Sequence, residues 1–105
     1  MQKYCQIIIS ARDKKEANVI SDVLIKNRLA AGTLITNGPS RYWWNGKIVE
    51  KIYYNVSVFS LLRLKKDIIR EVKKVHSDKC PIIAIHNISG NVEFLKWIEQ
   101  ETIRN

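Results

Sequence analysis

His76, Asp78 and Cys80 stand at alternate positions in one short stretch, and imidazole, carboxylate and thiolate are each ligands for copper or zinc. A small metal-binding cluster is one reading of this stretch. Lys79 lies in its midst and repels a cation, and the competing reading makes His76 an exposed imidazole that favours the negative end of a helix dipole. Were copper to bind here, thiolate from Cys80 would favour Cu(I), whereas His76 with Asp78 would suit Cu(II). Imidazole must be deprotonated to bind, so affinity should fall below about pH 6.5. The expected affinity is micromolar at best, on the order of −8 kcal/mol.

Other chemistry-bearing patterns are sparse. His86 is the second and last histidine, and neither histidine sits in HExxH or any close ligand spacing. GxGxxG, a Walker glycine loop and GxSxG are all missing from the sequence, which removes the usual markers of dinucleotide, phosphoryl-transfer and serine-hydrolase chemistry. No enzymatic activity is expected. Cys5 and Cys80 lie far apart without a CxxC pair, so neither a disulfide framework nor a cysteine zinc site is indicated. Cys5 reads as a small buried core residue. Tyr42, Trp43 and Trp44 offer rings for base stacking. However, Tyr53-Tyr54-Asn55-Val56-Ser57-Val58-Phe59 lacks the glycines of an RNA-recognition strand. The formal charge of +8 is scattered through every segment, and nucleic acid is not an expected partner.

These residues are positioned by a chain that alternates strand and helix patterns. Lys3 to Ser10 reads as a first strand, and its Ile7-Ile8-Ile9 run as a central strand covered on both faces. Asp13-Lys14-Lys15-Glu16 makes a capping box that starts a helix. Ala17, Ile20, Val23 and Leu24 give that helix its apolar stripe, and Gly32 marks its end. Thr33 to Trp44 is the second strand, with a kink expected at Asn37-Gly38-Pro39 that sends its halves to different neighbours. Lys47 to Ser60 is the third. Ser60 then caps a second helix whose Leu64, Ile68, Val72 and Val75 face inward. Pro81 to Ile85 is a fourth strand, buried on both sides or paired centrally. Gly90-Asn91 opens a last helix with Leu95, Ile98 and Thr102 inward.

Between the second and third strands, Asn45-Gly46 tolerates positive φ at both positions and signals a type I′ hairpin. Its arms of roughly 13 residues reach about 40 Å, against a radius of gyration of about 13 Å for a compact chain of this length. Such a hairpin protrudes, and another copy of the chain is the natural cover. The β-α-β-β-α-β-α order predicts a ferredoxin-like α+β sandwich, βαββαβ with an extra C-terminal helix, as one domain over residues 1–105. No apolar run approaches the roughly 18 residues of a membrane span, and Met1-Gln2-Lys3-Tyr4-Cys5 shows no signal-peptide pattern. A cytoplasmic location without membrane contact is expected.

Three motifs together carry a family resemblance: Arg28-Leu29-Ala30-Ala31, Tyr42-Trp43-Trp44-x-Gly46-x-Ile48, and Gly90-Asn91-x-Glu93-Phe94-Leu95-x-Trp97-Ile98. In order and spacing the chain resembles the CutA family, named for tolerance to divalent cations and especially copper. The resemblance implies a tight homotrimer with interlocking hairpins and inward-facing sheets, similar to the PII signalling proteins. Family members typically place a cysteine, a proposed copper ligand, after Arg-Leu-Ala-Ala, and this chain has Gly32. Where they read His-Pro-Tyr-Glu-Val-Pro, this chain reads His76-Ser77-Asp78-Lys79-Cys80-Pro81. A surviving copper site would have to recruit Asp78 or Cys80, and His76 with one of these is the expected ligand set. The leading expectation is a trimer acting in divalent metal ion tolerance, with metal bound at clefts between subunits. The alternative is a PII-like signalling or scaffold trimer that binds a small metabolite or protein partner.

Overall fold

The computed structural model describes residues 2–103. Met1, which entered the leader argument, lies outside them. Four strands and three helices follow in the order β1 (Tyr4–Ala11), α1 (Lys14–Lys26), β2 (Gly32–Trp44), β3 (Lys47–Leu61), α2 (Lys65–Val75), β4 (Ile83–Ile88) and α3 (Val92–Glu101), with a short 3-10 turn over Leu62–Leu64 ahead of α2. The strands form one antiparallel sheet in the order β2-β3-β1-β4, the split βαβ order predicted by the alternation of patterns.

Period-two alternation decides which side of the sheet is core. Cys5, Ile7, Ile9 and Ala11 of β1 and Val56 and Val58 of β3 are buried beneath Ile20 and Leu24 of α1 and Ile68 and Val72 of α2. Each such aliphatic side chain contributes about 1.5–3 kcal/mol by leaving water. The opposite face of β1 differs from the expectation of full cover, because Tyr4, Gln6 and Ile8 stay partly exposed. At one end α3 lies over that face, where Phe94 meets Phe59 edge-on at 5.6 Å between ring centres.

Several local readings change. Asp13 accepts the Glu16 N–H as expected, at 2.8 Å. The Glu16 carboxylate does not return to Asp13 but accepts the N–H groups of Arg12 and Ser77, each at 2.9 Å. The first helix stops at Lys26, well before Gly32. Arg28 takes the left-handed conformation (φ 55°), so that the Leu29 N–H reaches the Leu24 carbonyl and the Arg28 N–H the Ile25 carbonyl, a Schellman end with arginine where glycine is usual. Ser60 is still in β3, and α2 starts without a side-chain cap. Finally, β4 begins at Ile83 and is an edge strand paired only to β1, so it is half-exposed rather than central.

The long hairpin is uninterrupted. Asn45 (φ 51°) and Gly46 (φ 76°) form its turn, and one register runs from Trp44↔Lys47 to Gly32↔Phe59. The expected kink at Asn37-Gly38-Pro39 is not there. A two-residue turn makes Trp44↔Lys47 a hydrogen-bonded pair, and alternation then puts Pro39↔Ile52 on a pair without ladder bonds. The proline nitrogen faces the open edge, where no donor is needed. The molecule measures 44 Å along its length and 25 and 20 Å across.

Candidate functional site

A groove of about 920 Å³ runs between the hairpin and the turn that follows α2, lined by Tyr42, Trp44, Val49, Tyr53, Asp78 and Cys80 among others. Its floor includes Thr36, Asn55 and Ser10, which the strand register sets side by side on β2, β3 and β1. Asn55 Oδ1 is buried and has no hydrogen-bond partner among the described residues. Tyr42 and Tyr53 meet edge-on at 6.2 Å, and the Lys51 ammonium lies 5.0 Å from the centre of the Tyr53 ring, within cation–π range.

The 76–80 turn is held by directed hydrogen bonds. His76 Nδ1 accepts the Asp78 N–H at 3.0 Å, so that nitrogen carries its lone pair and the proton sits on Nε2. Nε2 in turn donates to the Ser10 carbonyl at 2.6 Å. The Tyr53 hydroxyl donates to the Asp78 carboxylate. Burial together with that carboxylate pushes the Tyr53 hydroxyl well above its ordinary range. The Ser77 N–H ends on buried Glu16. Burial raises the Glu16 pKa, but hydrogen bonds from Ser77 and Arg12 outweigh it and hold the carboxyl below its usual value.

The three predicted metal ligands are close in sequence but form no shell. Both ring nitrogens of His76 are engaged, Asp78 serves Tyr53, and Cys80 is an exposed free thiol. Among the described residues no three His, Cys, Asp or Glu side chains converge on a point that could hold a metal. Cys5 is no substitute, since burial pushes its thiol up to about 11 and a thiolate is the ligating form. A Cβ at Gly32 would lie 2.5 Å from Trp97 Cη2, so the indole occupies the space a side chain there would need. Among the described residues the donors of a single chain do not form a shell for a resident copper ion.

Tyr53, Asn55 and Glu16 are the residues that sequence reasoning passed over as site components. Tyr53 and Asn55 carried a signal as outward positions of β3. Nothing local showed that the 76–80 turn would fold against them.

Strand order, helix layer and projecting hairpin define a small α+β sandwich of split βαβ type with one groove at the hairpin. Residues 5–101 match the family model described as CutA1 divalent ion tolerance protein, and the chain belongs to that family. It is 35% identical over 95 residues to the divalent-cation tolerance protein CutA of Archaeoglobus fulgidus, covering 90% of this chain and 93% of that one. A solved structure from that organism, described as a periplasmic divalent cation tolerance protein, superposes with a TM-score of 0.88 at 32% identity over 96% of this chain and 98% of the other. The Thermus thermophilus divalent cation tolerance protein gives 0.88 at 28% identity, over 97% and 99% of the two chains.

Proposed function

We propose that the chain serves divalent-cation tolerance as a homotrimer whose hairpins interlock and whose open sheet faces turn inward, with cations such as copper met in the clefts between subunits. The observation that carries this reading is the hairpin surface. Trp43, Ile52 and Ile48 are 72%, 61% and 55% exposed, and the cross-strand pairs Trp43↔Ile48 and Pro39↔Ile52 put them on one face. Apolar rings and branched chains left in water at the end of a rigid arm favour association. The relatives named for cation tolerance support the cellular role. The donors left toward the groove are the Cys80 thiol and the second oxygen of Asp78, which need further ligands from a neighbour to complete a shell. Two free cysteines accord with a reducing, cytoplasmic setting, and cell fractionation checks that placement.

Light scattering coupled to size exclusion tests the assembly at micromolar concentration. A trimer mass is expected, and a monomer mass overturns the reading. A second reading, the PII-like signalling or scaffold trimer, draws on the groove itself: about 920 Å³ is within the range of small-molecule sites, roughly 300–1,000 Å³, and Asn55 Oδ1 awaits a donor. A thermal-shift screen of metabolites separates the two. Stabilisation by an organic ligand and none by copper selects the second.

A further inference from the structure

The geometry points to His76 as a positioning residue that fixes one wall of the groove, and not as a ligand of the cation. This inference rests on the groove being the functional cleft. His76 closes α2 and is the junction of three elements. Through Nε2–H it holds the carbonyl of Ser10 at the end of β1, and through Nδ1 it accepts the N–H of Asp78. Asp78, so oriented, receives the Tyr53 hydroxyl from the hairpin.

Ser10 repeats the tie on its other atoms. Its N–H donates to the Ile82 carbonyl and its hydroxyl oxygen accepts the Ile82 N–H, both at 3.0 Å. The Ser77 N–H is fixed by Glu16 at 2.9 Å. Ser77 and Ile82, at the two ends of the segment that follows His76, therefore have backbone groups committed to α1 and β1, and the turn cannot shift toward a cation without breaking several bonds. A metal ion on either nitrogen of His76 must displace a hydrogen bond that the protein already makes. Leaving a buried carbonyl or N–H unpaired is costly, so the ring is better employed as a donor–acceptor bridge than as a ligand.

The test separates bridge from ligand by atom. His76→Asn returns an amide oxygen near the Nδ1 position, His76→Gln returns an amide nitrogen near Nε2–H, and His76→Ala returns neither. None of the three is an imidazole ligand. In the full-length protein we expect His76→Ala to lower Tm by about 4–8 °C and to change Trp and Tyr fluorescence, with Asn or Gln recovering at least half of both changes. Titrating zinc into protein labelled with ¹⁵N-histidine should leave the His76 ring nitrogens in the Nε2–H tautomer throughout. Copper affinity measured by calorimetry should stay within about twofold in whichever of Asn or Gln restores Tm.

A saturable zinc-dependent shift of either His76 ring nitrogen overturns the inference. So does a tenfold or greater loss of copper affinity in both amide variants at unchanged Tm. If the wild type binds no copper at all, the cleft loses its proposed cation, which counts against the function proposed above. His76 is then judged on the ring tautomer and the order of Tm values, and equal Tm in all three variants overturns it.

Discussion

Glu16→Gln tests the buried carboxylate that joins α1 to the groove wall. The wild-type side chain is 6% exposed and accepts two backbone N–H groups, from Arg12 and Ser77, each at 2.9 Å. A hydrogen bond to a charged group contributes about 1.5–3 kcal/mol. Glutamine keeps one acceptor oxygen and points its amide nitrogen at the remaining N–H, so one bond is lost and donor faces donor. The expected loss at pH 7 is about 2–3 kcal/mol, read by urea unfolding of wild type and variant at equal chain concentration. The pH dependence has a defined sign. Because folding holds the Glu16 pKa below its ordinary value, its contribution is complete above the unfolded value, about 4.3. It disappears as pH falls through the lower, folded value. The gap between wild type and variant should therefore be constant from pH 8 to 5 and close progressively below about pH 4.3. A variant as stable as wild type at pH 7, or a gap that persists undiminished at pH 2.5, refutes this account of Glu16.

Gly32→Cys introduces the thiol that the family resemblance implies at this position but drives its Cβ to 2.5 Å from Trp97 Cη2, so it should cost about 1–3 kcal/mol through overpacking, measured by the shift of the urea midpoint. Gly32→Cys combined with Trp97→Phe should recover part of that loss, and no recovery rules out the ring as the cause. Arg28→Gly removes the left-handed strain at φ 55°, about 1 kcal/mol, together with the exposed ion pair to Glu101 at 3.0 Å, which is worth about 0–1 kcal/mol. Thermal unfolding should find it neutral to within about 1 kcal/mol, and a large loss would show that the Arg28 side chain does more than pair with Glu101.

Where each element begins and what it buries was readable wherever one residue decides the local chemistry. Asn45-Gly46 gave the turn because few other dipeptides accept two positive φ values. Ile68 and Val72 gave the inner face of α2 because helical spacing left no other face. The misreadings share another cause. Gly32 was read as a helix end, but its small size serves the Trp97 ring from a helix far along the chain. Pro39 was read as a break, but it falls on the edge strand at a position with no ladder bond to lose. In each case the residue type was informative and the partner was non-local. The candidate site was only half legible for the same reason: His76, Asp78 and Cys80 have ligand chemistry, and only the folded chain shows that Ser10 and Tyr53 engage two of them.

Two positions offered for copper ligands, one by the resemblance and one by the residue pattern, are thus spent inside the subunit, position 32 under Trp97 and His76 between Ser10 and Asp78. On the proposed assembly a cation would be bound by donors that a single chain leaves incomplete, and its affinity would follow the assembled state. Ligand that binds only the native assembly stabilises it by about 2.7 kcal/mol per site at one hundred times Kd. For a chain of this size about 1 kcal/mol moves Tm by roughly 4–8 °C, so saturating copper should raise Tm by at least several degrees. The rise should shrink in Cys80→Ser or Asp78→Asn and persist in the amide variant that preserves the His76 bridge. A flat Tm at every copper concentration would mean that the native protein holds no copper site, and that cation tolerance acts through a partner or a metabolite.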